Sequence, residues 1–238
     1  MSGGVVETIE VDDADGVRTI TINRPEARNA MTFAMRERIA ELYTGASNDD
    51  AVDVVIITGA DTSFSAGVDL KEMRSQTGPP KRMNPTVAVR ACAKPTIAAV
   101  NGVCVTGGLE IALASDMIVA SEQARFADTH AKAGLMPGWG MSAALPAAVG
   151  RRKAVQLSLT GAFIDAHEAL RIGLVNDVCP HDELLDRTYE LAQAIRAHDQ
   201  AVVRRQVSLY RRANGIAFDD ALALERQAAD EWREARGS

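Results

Sequence analysis

The stretch NGVCVTGGLEIALASD, residues 101–116, decides how the chain is read. Glycines at 102, 107 and 108 punctuate an apolar run, and a lone glutamate, Glu110, falls where a helix begins. Glycine costs conformational entropy, so a cluster of it marks a positive-φ turn or a backbone that something approaches closely. Just before it stands TIAAV (96–100), led in by Lys94-Pro95, a short continuous apolar run of the kind buried on both faces of a sheet. The same order of strand, glycine turn and helix start occurs upstream, where VDVVIITG (52–59) is followed by FSAGVDL (64–70).

Outward from these units the chain reads as layered α/β with mostly parallel buried strands, DMIVA (116–120) being a third. VVETIEV (5–11) and VRTITIN (17–23) alternate apolar and polar residues around Asp12, Asp13, Asp15 and Gly16, which predicts an antiparallel hairpin with those four as its turn. Thr32 is placed to cap a helix through Met35, Ile39 and Leu42, with Gly45 near its end. SQTGPPKRMNP (75–85) predicts an exposed, mobile loop, because its glycine and prolines forbid a continuous helix. From about Arg151 the pattern is helical, interrupted by a short strand in GLVNDVCP (173–180). The expected division is a core domain over 1–185 and a helical region over 186–238.

At 238 residues the length suits one domain, and the 47% apolar content rules out a disordered composition. Aromatic residues are only 4%, so the core must come from Ala, Val, Leu and Ile. A formal charge of −6 and no basic stripe argue against a nucleic-acid binder. Cys92, Cys104 and Cys179 form no C-x-x-C pair, and His167, His181 and His198 have no metal-ligand spacing, so reduced thiols and no metal site are expected. No signal peptide or membrane-length apolar run is visible, which predicts a cytoplasmic protein without a membrane partner.

The two glycine turns carry the chemistry. A helix start presents unsatisfied N–H groups and the positive end of the macrodipole, so two such turns side by side can aim N–H dipoles at one developing oxyanion. Neither turn matches a dinucleotide G-x-G-x-x-G, and the second lacks the G-K-[ST] of a triphosphate loop. On the residues alone, ordinary turn glycines of an α/β sheet are the favoured account.

Collinear motifs extend the reading. NRPEARNAM (23–31), VVIITGADTSFSAGVDLKEM (54–73), KPTIAAVNG (94–102) with GGLEIALASD (107–116), ARFADTHAKAGLMPGWG (124–140), and SLTG (158–161) leading to DAHEALRIGLVNDVCPHDEL (165–184) resemble the enoyl-CoA hydratase/isomerase (crotonase) family. The resemblance runs from about Val17 to Leu224. It implies a crotonase-like α/β spiral of β-β-α units with a C-terminal helical region that serves trimerisation, giving a homotrimer or dimer of trimers. It also implies an acyl-CoA thioester as substrate, with coenzyme A part of that substrate and no separate cofactor.

Carried onto this sequence, the oxyanion N–H groups belong to Val68 and Gly107. Ala66, Gly67, Asp69, Leu70, Lys71 and Gly108 flank them as substrate-binding positions, and Arg28, Lys71 and Arg82 are candidates for the CoA phosphates, though exposed basic residues are equally at home as solvated surface. Glu110 falls on the first of the two family glutamates that handle water; its alternative reading is a helix-start carboxylate complementing the dipole. The second glutamate position holds His130, which either takes over as a proton donor or water-orienting group or is catalytically silent. Asp128, two residues away on what reads as an extended segment, is expected to point elsewhere. Trp139 replaces a small residue and either reshapes the acyl pocket or packs in the core. The closing residues ADEWREARGS (229–238) lack the family's terminal pattern that covers the CoA site. The implied activity is hydration of a trans-2-enoyl-CoA; double-bond isomerisation, or acyl-CoA binding without catalysis, are the rivals.

Overall fold

The computed structural model of the chain describes residues 8–75 and 83–236. Its opening hairpin pairs β1 (Ile9–Ala14) with β2 (Val17–Ile22). α1 (Phe33–Asn48) follows, then β3 (Val54–Gly59), β4 (Ser63–Ser65), α2 (Leu70–Ser75) and α3 (Thr86–Ala91). Two further units are β5 (Thr96–Val100), β6 (Val103–Val105) and α4 (Gly107–Ala114), then β7 (Met117–Ser121), β8 (Arg125–Ala127) and α5 (His130–Ala133). The remainder comprises α6 (Met141–Val149), α7 (Arg151–Thr160), β9 (Ile164–Asp165), α8 (Ala166–Arg171), β10 (Asp177–Cys179), α9 (Leu184–Arg196), α10 (Gln200–Ala213) and α11 (Phe218–Arg236).

Each β-β-α unit sends its long strand to one sheet and its short strand to another. The larger sheet has the order β1-β2-β3-β5-β7-β10, parallel from β2 onward, and the smaller has the order β4-β6-β8-β9. This is the crotonase-like spiral that the motifs implied. The long strands are unbroken apolar runs because both faces are covered. Val55 and Ile57 of β3 face the main core with α1 and α4, while Val54 and Ile56 face a second cluster closed by Leu184 and Ala192 of α9.

Thr32 caps α1 as expected, accepting from the Met35 N–H at 3.3 Å. The hairpin departs from expectation, since Asp12 and Asp13 lie in β1 and the turn is Asp15-Gly16 alone, with φ of 45° and 71°. The reason is electrostatic: Asp13 pairs with Arg18 across the ladder at 2.6 Å, so it belongs to the strand. Of the predicted loop over 75–85, Ser75 ends α2, Met83 and Asn84 line a cavity, and 76–82, like Val5–Glu7 of the first predicted strand, lie outside the described residues. No helix among the described residues is long and apolar enough to cross a membrane.

Gly102 marks the switch from a long strand to a short one, where a Cβ would stand 2.0 Å from the Thr62 carbonyl oxygen. That atom is backbone and cannot swing away. Gly102→Ala is therefore expected to destabilise the fold by about 1–3 kcal/mol. The check is a lowered urea midpoint at unchanged slope.

Candidate active site

Three neighbouring parallel strands of the smaller sheet, β4, β6 and β8, end side by side. From their C-terminal ends run Ala66-Gly67-Val68, Thr106-Gly107 and Asp128-Thr129-His130. Three stretches more than a dozen residues apart in sequence thus meet in one place because the units repeat.

The first two turns touch through their backbones. Gly67 has φ of 91°, and a Cβ there would meet Thr106 Oγ1 at 2.3 Å and the Gly107 nitrogen at 3.0 Å. Gly108 is pressed against Ser65, whose carbonyl oxygen would lie 2.4 Å from a Cβ. Thr106 adopts a positive φ of 47°, a conformation that a non-glycine residue holds only when its surroundings impose it. The glycines of the opening stretch therefore serve turn-to-turn contact.

NRPEARNAM wraps this junction. Asn29 is fully buried, and its side-chain amide donates to the Ala60 and Ser63 carbonyls while accepting from the Arg24 N–H. Ser65 Oγ donates to the Asn29 carbonyl and accepts from the Gly67 N–H at 3.1 Å. Met31 takes the next bonds, donating to the Gly67 carbonyl and accepting from the Asp69 N–H. The N–H groups of Val68 and Gly107 are left without an acceptor among the described residues, at neighbouring points of the junction.

Glu110 sits one turn into α4 and is 2% exposed. Its Oε1 accepts from the Trp139 N–H at 2.8 Å and the Met141 N–H at 3.2 Å. Its Oε2 faces His130 Nε2 at 3.7 Å. Burial pushes the carboxyl above its usual range, against the lowering effect of those two N–H bonds and of His130; Asp128 adds to the rise.

His130 opens the short helix α5, and Asp128 does not point elsewhere: its Oδ1 meets His130 Nδ1 at 2.7 Å and accepts from the His130 N–H at 3.1 Å. Residue 128 turns back because Thr129 leaves the extended region and the chain coils at once. Burial opposes ionisation of Asp128, but hydrogen bonds from His130 and Ser158 outweigh it and hold the carboxyl below the usual range. An ionised Asp128 can only accept, so its bond places a proton on Nδ1 and holds the ring with Nε2 toward Glu110.

A cavity of about 620 Å³ is lined by Ala66, Val68, Leu70, Gly107, Glu110, His130 and Trp139 of the expected residues. The Trp139 ring packs on Gly107, where Cζ3 would lie 2.8 Å from a Cβ, so it shapes the cavity wall. Arg28 and Lys71 are exposed and outside that wall, and Arg82 lies outside the described residues. Asp69, buried and also outside the wall, pairs with Arg24 at 2.5 Å and caps α2 by accepting from the Lys71 and Glu72 N–H groups. Arg36, which the motifs did not single out, is in the wall; its signal was a charge set between Met35 and Ile39 on the apolar stripe of α1. Among the described residues, no group of three or more His, Cys, Asp or Glu side chains is placed to hold a metal ion.

Known proteins carry the same arrangement of chain. The sequence model described as enoyl-CoA hydratase/isomerase matches residues 12–235. A probable peroxisomal enoyl-CoA hydratase 1 of Arabidopsis thaliana is 39% identical over 220 residues, 91% of this chain and 83% of that one. The crystal structure of an enoyl-CoA hydratase from Mycobacterium tuberculosis H37Rv superposes with a TM-score of 0.80 at 44% identity, covering 96% of this chain and 100% of the other. An enoyl-CoA hydratase from Bacillus anthracis gives a TM-score of 0.88 at 30% identity, covering 94% and 90%.

The raised Glu110 carboxyl has a consequence for stability. A carboxyl whose pKa is higher folded than unfolded costs nothing below the unfolded value, costs stability progressively as pH rises from there, and costs the full amount above the folded value. Glu110→Gln keeps an oxygen for the Trp139 and Met141 N–H groups and removes the charge. Its melting temperature should exceed that of the wild type by up to a few degrees at neutral pH, with the gain vanishing as pH falls to the ordinary carboxylate range.

Proposed function

The chain belongs to the enoyl-CoA hydratase/isomerase family, and from that premise we propose that it adds water across the double bond of a trans-2-enoyl-CoA, with His130, at the position of the second family glutamate, taking the proton from water in place of the proton-donor role the motifs implied for it. The observation that carries the reading is the buried facing pair, Glu110 Oε2 and His130 Nε2 at 3.7 Å, beside two N–H groups with no acceptor among the described residues.

In this reading the thioester oxygen accepts from the Val68 and Gly107 N–H groups. Charge that develops on it during addition is met by dipoles already in place, and α4 adds its positive end. Water attacks C3 of the enoyl group, forming the C–O bond, and gives a proton to His130 Nε2. The electron pair of the C2–C3 double bond moves toward the thioester as an enolate, and C2 then takes a proton from Glu110. The product is a 3-hydroxyacyl-CoA; exchange of the proton from His130 to Glu110 across their short gap restores the site. Burial favours a protonated Glu110, and the Asp128 bond to Nδ1 orients the His130 ring with Nε2 toward the site.

The assembly proposal is that copies of this chain associate as a trimer or dimer of trimers through the C-terminal helices. Its support is that α10 has no buried residue and that Tyr210 and Phe218 are 77% and 76% exposed.

The test is hydration of short, medium and long trans-2-enoyl-CoAs, with product analysis. Glu110→Gln and His130→Ala should each lower kcat by roughly 10²- to 10⁴-fold. Asp128→Asn should lower kcat by at least about tenfold with little change in KM, the signature of a group that acts through His130. Full turnover in Glu110→Gln would overturn the roles assigned here. Conversion of a 3-enoyl-CoA without any 3-hydroxyacyl product would make the chain an isomerase. A wild type that is silent on all enoyl-CoAs, beside an active His130→Glu, would make it an acyl-CoA binder.

A further inference from the structure

The cavity that holds Glu110 and His130 has in its wall a cation that the hydration steps do not use. Arg36 is 6% exposed and lies beside Leu70, Met73, Met83 and Trp139. Its Nε donates to the Thr32 carbonyl at 3.2 Å, and its Nη1 to the Met83 carbonyl at 3.1 Å. These bonds fix the plane of the guanidinium. It stands 5.5 Å from the centroid of the Phe33 ring and 5.7 Å from that of Trp139.

The charge itself is only partly answered. Nη2 has no hydrogen-bond acceptor among the described residues; its ion-pair partner, Glu72 Oε2, stands 3.8 Å away and already accepts from the Phe33 N–H at 2.7 Å. Burial works against the charged form, and Glu72 offsets part of that. An arginine nonetheless stays protonated, and a buried cation without full pairing is costly. Leucine or methionine, which the same wall carries at Leu70, Met73 and Met83, would serve a hydrocarbon chain better. An oriented guanidinium edge beside the apolar side chains of Leu70, Met73 and Met83 matches a planar carboxylate.

Trp139 sets the distance scale. Its ring packs on Gly107 at one position, and the Arg36 guanidinium lies over it at another. Gly107 and the cation thus both lie against one indole ring, which puts Arg36 within the reach of a short acyl chain from the thioester end.

We propose that Arg36 is a specificity-determining residue and that the acyl group taken by this site carries a carboxylate at its far end, held by the Nη2 edge of the guanidinium. The inference rests on the acyl-CoA reading above.

Its test uses saturated thioesters, which bind without turning over. Calorimetric affinities of adipoyl-CoA against hexanoyl-CoA, and of glutaryl-CoA against pentanoyl-CoA, are compared in the wild type, Arg36→Met and Arg36→Lys. The wild type should favour the ω-carboxy member by roughly ten- to a hundredfold. Arg36→Met should lose that preference while holding the neutral thioesters unchanged, and Arg36→Lys should keep part of it. Absence of preference in the wild type, or equal loss for both members of a pair in Arg36→Met, would overturn the proposal. If Arg36→Met fails to fold, the wild type and Arg36→Lys decide. A chain that hydrates crotonyl-CoA without any carboxylate preference loses this inference alone. One that prefers the ω-carboxy thioesters and hydrates nothing keeps it and loses the reaction.

Discussion

The structure turns on one backbone contact, the approach of the turn after β4 to the turn after β6. Gly67 stands against Thr106 and Gly107, and Gly108 against the Ser65 carbonyl, at separations that no side chain could share. Close packing of two turns removes their polar groups from water, so each must be bonded or aimed at something. Asn29, Ser65 and Met31 take most of them. The N–H groups of Val68 and Gly107 remain, and they remain together.

Around that contact the site divides its electrostatics between two sides. On one, the start of α4 and two free N–H groups make a fixed positive region that suits an oxyanion. On the other, three titratable groups, Glu110, His130 and Asp128, sit buried and close enough to govern one another. Asp128 is held ionised by its bonds and Glu110 is pushed toward its neutral form by burial. Groups of like type in one pocket are thus driven to opposite states, the usual way for acid and base to coexist at one pH. Trp139 couples this side to the cavity wall, because its N–H bonds Glu110 while its ring meets Gly107 and Arg36.

Much of this was legible in the chain. Both buried strands with their glycine turns, the Thr32 cap, the helical C-terminal third and the family motifs all follow from local pattern. The three-residue strands β4, β6 and β8 did not, since three residues hold too little alternation to show a period. Asp13 was misread as turn chemistry because its partner, Arg18, acts across a hairpin ladder. Asp128 was set aside for a similar reason: its direction depends on the backbone bending at Thr129, which composition does not reveal. Arg36 could have been noticed as a charge on an apolar stripe, but a helix surface tolerates such a residue and only burial makes it unusual.

By itself, then, the sequence determined the repeated order of long strand, glycine turn and helix start, the places where the backbone must pass close to itself, and the position of Glu110 at the helix start after the second turn. These are properties of short segments, carried by apolar runs and by glycine's freedom from a Cβ. Tertiary structure decided what those residues face. The parallel pairing of β4, β6 and β8 sets three distant turns side by side. Only that juxtaposition brings Nε2 to Oε2 and leaves Arg36 inside a cavity rather than on a surface. The physical reason is that distances and burial between segments far apart in the chain come from packing, and charge states follow burial and neighbours.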